Sequence, residues 1–257
     1  MDFKALFAFI LKQSQYFNNS YLLLYLHTKY LLMKSFIIVL FFFSCISTLF
    51  GQRISKIALS SAGDLQTFAI TTDDNAIINL SPTGDVISYG TEYFSEKIQN
   101  YSRIEKFNGR VDLYGATDDK SLQGKLKYIG KTAVTYYASY DIETLRGKIK
   151  NIGNLAINYF MEYDDVNLKG KIKSIGSSQM QYFSSFDNEA LRLKLKSVGS
   201  TAINYYTSFE DKAIKGKLKS IGQTNFTYYT SFEKQFAGAM KTGSQQLNVS
   251  GIAYFVQ

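Results

Sequence analysis

The sequence predicts an all-β protein: an antiparallel β-meander repeat array with two strands per 23-residue repeat, in a twisted or curled sheet preceded by β-hairpins. Three observations carry this. A 23-residue period runs five times without a gap from Gly124 to Gly238. Within each unit aromatic and β-branched residues dominate, and glycine recurs at fixed places. No run between 53 and 257 shows a helical hydrophobic period.

Taken in chain order, residues 1–50 differ in composition from the rest. Met33-Lys34-Ser35 is a basic start, Phe36 to Phe43 an apolar run, and Ser44 to Thr48 a small and polar stretch before Gly51. That order is expected of a secretory signal peptide over 33–51, with 1–32 as upstream mis-start. A membrane anchor over Leu22–Phe50 and lipidation at Cys45 are the alternatives. Lys29, Lys34 and His27 interrupt the apolar run below the roughly 18–20 residues a span needs. The expected destination is outside the cytoplasm: periplasmic, outer-membrane-associated or extracellular.

The chain's one His (His27) and one Cys (Cys45) both fall in this leader. The exported portion would then lack Ser-His-Asp and Cys-His chemistry, His or Cys metal sites and disulfides. It would hold 25 basic and 20 acidic residues with interleaved signs. This is no nucleic-acid signature.

Region 52–102 reads as hairpins. Ile54–Ser60 and Leu65–Thr72 flank Ser61-Ala62-Gly63-Asp64; Ala76–Leu80 and Asp85–Gly90 flank Ser81-Pro82-Thr83-Gly84. The array spans 103–238, with a degenerate unit at Arg103–Gln123 and full units starting at Gly124, Gly147, Gly170, Leu193 and Gly216. The atypical tail 239–257 is expected to cap it with a strand at Gly251–Val256.

Unit position 7 is always glycine, as a tight hairpin requires, and position 18 is always acidic, suiting a second, four-residue turn. Loops at positions 7–9 and 18–21 would separate an apolar face (Leu168, Gly170, Ile172, Ser174, Met180, Tyr182, Ser184, Phe186) from a polar one (Lys169, Lys171, Lys173, Ile175, Gln179, Gln181, Phe183, Ser185). A two-residue turn would instead put Lys171 beside Tyr182.

Three aromatic columns follow. Tyr136, Tyr159, Tyr182, Tyr205, Tyr228 and Tyr140, Tyr163, Phe186, Phe209, Phe232 are expected in the core. The remaining column, Tyr137, Phe160, Phe183, Tyr206, Tyr229, shares the polar face with Lys125, Lys148, Lys171, Lys194, Lys217 and with Lys127, Lys150, Lys173, Lys196, Lys219. With position 2 across from position 14, these residues form either an edge-protecting row of lysine stems over rings or a binding ladder for an anionic or carbohydrate polymer.

Asp165, Asp211 and Glu189, near the acidic column, lack the spacing of a Ca²⁺ hand or an RTX repeat, so turn roles are expected and no metal or cofactor is implied. Asn100, Asn225 and Asn248 open glycosylation triplets at the frequency chance gives.

The GK-[LI]-K-x-[IV]-G motif followed by a Tyr-Tyr or Tyr-Phe pair, over residues 124–238, resembles secreted 23-residue β-repeat proteins of the Bacteroidota. That resemblance implies export and a repeat fold, and no activity. The period is also that of MORN repeats, and the glycine and tyrosine pair are similar to cell-wall-binding aromatic repeats. The Trp of both, and the glycine rhythm of MORN units, are absent.

The functional expectation is a non-enzymatic exported or cell-surface protein with a structural or binding role. Its partner would be an envelope polysaccharide, another protein or a second copy. The alternatives are an outer-membrane β-barrel, for which strands near eight residues are shorter than the roughly 9–11 a span needs, and an enzyme built on carboxylates.

Overall fold

The computed structural model describes residue 25 and residues 27–30, 52–94 and 102–257. Contacts divide the chain into Met1–Phe50 and Gly51–Gln257. In the first unit, Tyr25 and residues 27–30 are helical; the expected signal peptide lies outside the described residues. No helix among the described residues is long and apolar enough to cross a membrane.

The second unit is nearly all β, as predicted. β1 (Arg53–Leu59), β2 (Leu65–Thr71), β3 (Ile77–Leu80), β4 (Val86–Phe94) and β5 (Ser102–Glu105) form a meander whose first two hairpins lie where turn chemistry placed them. The array follows as β6 (Val111–Leu113), β7 (Leu126–Ile129), β8 (Thr132–Tyr136), β9 (Ile149–Ile152), β10 (Leu155–Tyr159), β11 (Ile172–Ile175), β12 (Ser178–Tyr182), β13 (Leu195–Val198), β14 (Thr201–Tyr205), β15 (Leu218–Ile221) and β16 (Thr224–Asn225). These eleven strands make one sheet in strict chain order. β17 (Thr227–Tyr228) and β18 (Met240–Thr242) pair separately.

The tail forms β19 (Gln246–Val249) and β20 (Ile252–Val256). β20 does not extend the array. It lies parallel to β1, so the first sheet runs β19-β20-β1-β2-β3-β4-β5.

One continuous core joins the two sheets. It takes Ile57, Phe68, Ile70, Ile78 and Leu80 from the first, and from the array unit positions 3, 6, 11 and 13, for example Ile149, Ile152, Ile157 and Tyr159. The apolar face of the array is thus covered by the N-terminal sheet, which removes apolar surface from water on both.

Two expectations about register are corrected. The turn at position 7 has two residues, not three: Ile129 pairs with Thr132, Ile152 with Leu155, and Ile175 with Ser178. Its glycines have φ of 53–58°, and no residue at position 8 has positive φ. That is the type II′ pattern, whose twist matches the flanking strands. Alternation misleads here because each unit carries a β-bulge. Thr135 faces Asn151 but Tyr136 faces Ile149, so Lys150 is an extra residue; Lys127, Lys173, Lys196 and Lys219 are passed over in the same way. A bulge inverts the parity of a strand, so positions 3 and 6 both reach the core. Ile175, predicted on the polar face, is therefore buried, and Lys171 does lie beside Tyr182.

The second correction concerns the other connection. The last pairs are Tyr137 N–H to Lys148 O and Gly147 N–H to Tyr137 O. The predicted four-residue turn is thus part of a nine-residue loop, positions 15–23. Position 17 lies on that loop and not on a strand. Tyr140, Tyr163, Phe186, Phe209 and Phe232, predicted as core, are 85–95% exposed.

Candidate functional site

The bulge decides what the lysines do. At position 2, the ammonium groups of Lys125, Lys148, Lys171, Lys194 and Lys217 lie 5.2–5.6 Å from the ring centroids of Tyr136, Tyr159, Tyr182, Tyr205 and Tyr228. The expected partner was the position-14 ring. That ring is covered instead by the bulged lysine of the next unit: Lys150 over Tyr137, Lys173 over Phe160, Lys196 over Phe183, Lys219 over Tyr206. Lys127 covers Tyr114 and Lys241 covers Tyr229. Adjacent columns meet edge to face, as in Phe160–Tyr182 at 5.7 Å and Tyr206–Tyr228 at 6.1 Å. Each such aromatic pair contributes about 0.5–1.5 kcal/mol beyond burial.

Several of these lysines are committed further. Lys148 donates to Thr83 O at 2.8 Å and Lys194 to Ala62 O at 2.7 Å, tying the array to the β3–β4 and β1–β2 turns. Lys171 donates to Leu193 O, and Lys125 to Gly147 O, each in the next unit. Burial holds the Lys148 and Lys171 ammonium groups below the ordinary lysine range. The predicted ladder is brought together as a set of intramolecular contacts along the sheet.

The long loops form a different row. Within each loop the position-18 acid caps the loop's own start: Asp141 accepts from Ala138 N–H, Asp164 from Met161 N–H, Asp187 from Ser184 N–H, Glu233 from Thr230 N–H. Position 19 links one loop to the next. Asp119 accepts from Ser139 N–H, Asp165 from Ser185 N–H, Asn188 from Ser208 N–H and Asp211 from Ser231 N–H, at 2.9–3.1 Å. These hydrogen bonds hold Asp119, Asp165 and Asp211 below the usual carboxylate range, with Ser121, the Asn167 N–H and Ser231 as the strongest donors respectively. Asp165 and Asp211, which sequence reading assigned to turns, are engaged as turn and rung acceptors, whereas Glu189 pairs with Lys215 and Asn188 makes the rung in its loop.

Every rung fixes the residue immediately before a position-17 aromatic. Four of the five protruding rings, Tyr140, Phe186, Phe209 and Phe232, follow such a rung, and the row recurs once per unit, on strands whose two-strand step is about 9.5 Å. Sequence reading found this column but assigned it to the core. The signal that distinguishes it is the polar pair on either side, Ser then Asp or Glu in four of the five units, which marks a capped loop and not a strand.

One rung is missing. Position 19 of the first unit is Ile142 and its partner position is Glu162. At the same place a cleft of about 420 Å³ opens, lined by Tyr137, Ile142, Asn158, Met161, Tyr163 and Gln179 among others. The cations at position 23 are engaged: Arg146 and Arg192 donate to Asp141 O and Asp187 O, Lys169 pairs with Glu162 and Lys215 with Glu189.

In comparisons with known proteins, no family model, no curated protein and no solved structure matches this chain.

Proposed function

We propose that this is a non-enzymatic, exported or cell-surface β-repeat protein that binds an extended partner along the aromatic row of its loop edge. The carrying observation is the exposure of Tyr140, Tyr163, Phe186, Phe209 and Phe232, five large rings on capped loops, four of them next to a rung. Burying them in the free protein would be favourable, so leaving them out in water at a constant step is the costly arrangement that a binding role accounts for. The internal pairing of the lysine and position-14 columns supports a structural role for them. The leader read from the sequence supports export. Coverage of the array's apolar face by the N-terminal sheet supports a core that faces protein and not lipid. Repeated columns offer the same groups in every unit, which suits an extended partner better than a single catalytic centre.

The test is a Phe186→Ala/Phe209→Ala/Phe232→Ala protein with an unchanged circular dichroism spectrum. It should lose retention on the polysaccharide and envelope fractions of the source organism. Undiminished retention would refute the row as the binding element.

A further inference from the structure

From the row's chemistry we infer that its ligand is an uncharged, β-linked polysaccharide, stacked ring on ring along positions 17 and anchored at the cleft between the first two loops. This rests on the reading of the row as the binding element. Three observations point to that class.

The first is charge. Lys169 and Lys215 pair with Glu162 and Glu189, Lys173 at the cleft and Lys241 pair with the position-18 acids Asp164 and Glu233, and Arg146 and Arg192 donate to backbone carbonyls beside further carboxylates. Both signs are therefore interleaved along the edge, which presents no single-sign stripe for an anionic polymer, a lipid surface or a basic peptide. The second is sparseness. Rings one unit apart, with the serines and acids of positions 16 and 18 between them, are isolated flat platforms and not the contiguous apolar centre of a protein interface. A polymer with its own recurring apolar faces fits such platforms. In an extended β-1,4-linked chain successive sugar rings are turned over, so the same CH face returns once per disaccharide, a length on the scale of the two-strand step.

The third is the cleft. The exposed ring of Tyr163 provides a plane there, Ile142 and Met161 an apolar floor beside Tyr137, and Asn158 and Gln179 amides for hydroxyl groups. The Gln179 amide has no partner among the described residues, whereas Asn158 donates to Ser174 and keeps its carbonyl oxygen for an incoming hydroxyl. Flat apolar planes with a few placed polar groups are what a sugar ring requires of a site.

Affinity electrophoresis of the full chain through soluble β-glucan, xylan, glucomannan, amylose, alginate and polygalacturonate tests this. At least one neutral β-glycan should retard the protein, with little dependence on salt, and the acidic polymers should not. Tyr163→Ala and Gln179→Ala should each weaken that retardation, and the triple phenylalanine variant should weaken it by about tenfold or more. Retardation only by acidic polymers, or only by amylose, would overturn the ligand class. No retardation by any glycan, while the triple variant still loses envelope binding, would overturn the ligand class and leave the row as a docking surface. Envelope binding that survives the triple variant would remove the row itself.

Discussion

Leu193 opens the fourth unit in a backbone conformation that the other four units give to glycine. Its φ is 63°, against 71–78° at Gly124, Gly147, Gly170 and Gly216. A side chain there sits too close to the following carbonyl, at a cost of roughly 1–2 kcal/mol. Glycine loses more entropy on folding, which offsets part of this. Leu193→Gly should therefore stabilise the protein by about 0.5–1 kcal/mol; a lower denaturant midpoint would contradict the account. A second contrast lies in the buried tyrosine column. The Tyr205 hydroxyl donates to Leu195 O at 2.8 Å, whereas the buried Tyr228 hydroxyl has no partner among the described residues. Tyr205→Phe should cost about 0.5–1.5 kcal/mol and Tyr228→Phe close to nothing. Equal losses in paired urea titrations would show that the hydrogen bond is not what separates them.

At the scale of the element, the missing rung is a local defect that can be repaired. Asp165 and Asp211 each accept from the next loop and also from the N–H two residues on, Asn167 and Ala213. Ile142 can do neither, and Glu162 is held only by Lys169 and a long contact to Thr144, exposed interactions of small worth. Ile142→Asp with Glu162→Ser should restore both bonds and raise stability by about 1 kcal/mol; Ile142→Asp alone should give less, because its carboxylate would face that of Glu162, and Glu162→Ser alone close to nothing. Additive singles in a double-mutant cycle would deny the rung. These elements also show what a sequence reveals. The hairpins at Ser61–Asp64 and Ser81–Gly84, the glycine turns and the strict strand order were legible, because turn residues and apolar periods mark them. The bulge was not, since Lys173 at the bulge and Lys171 two residues earlier are the same residue type. The row was misread because Phe186 looks apolar wherever it stands, and alternation was carried past Phe183, where the strand had ended. Pairing of β20 with β1 joins residues from opposite ends of Gly51–Gln257, and no local pattern announces it.

For the molecule as a whole, the two sheets share one core in which a tyrosine column lies beneath lysines, and this sets how the fold answers pH. Burial pushes Tyr136, Tyr159, Tyr182 and Tyr205 far above the ordinary phenol range and Tyr228 up to about 12. Unfolded tyrosine ionises near 10. Below that pH both states hold the phenolic protons and stability is unaffected by them. As pH rises beyond it the unfolded chain loses protons that the folded one keeps, so stability falls until the fold opens. The carboxylates act at the other end. Asp119, Asp165, Asp187 and Asp211 are held below their ordinary range by hydrogen bonds from loop serines and N–H groups. Their contribution is complete above roughly pH 4 and is lost as pH falls through the folded values. A broad plateau between about pH 5 and 9 is expected, bounded by loop loosening in acid and cooperative unfolding in alkali. In an alkaline titration, a step of tyrosinate absorbance from the buried column should coincide with loss of the β-sheet circular dichroism. Full ionisation of all tyrosines in a protein that keeps its native spectrum would mean that the column is open to water, and the two-sheet core would have to be redrawn.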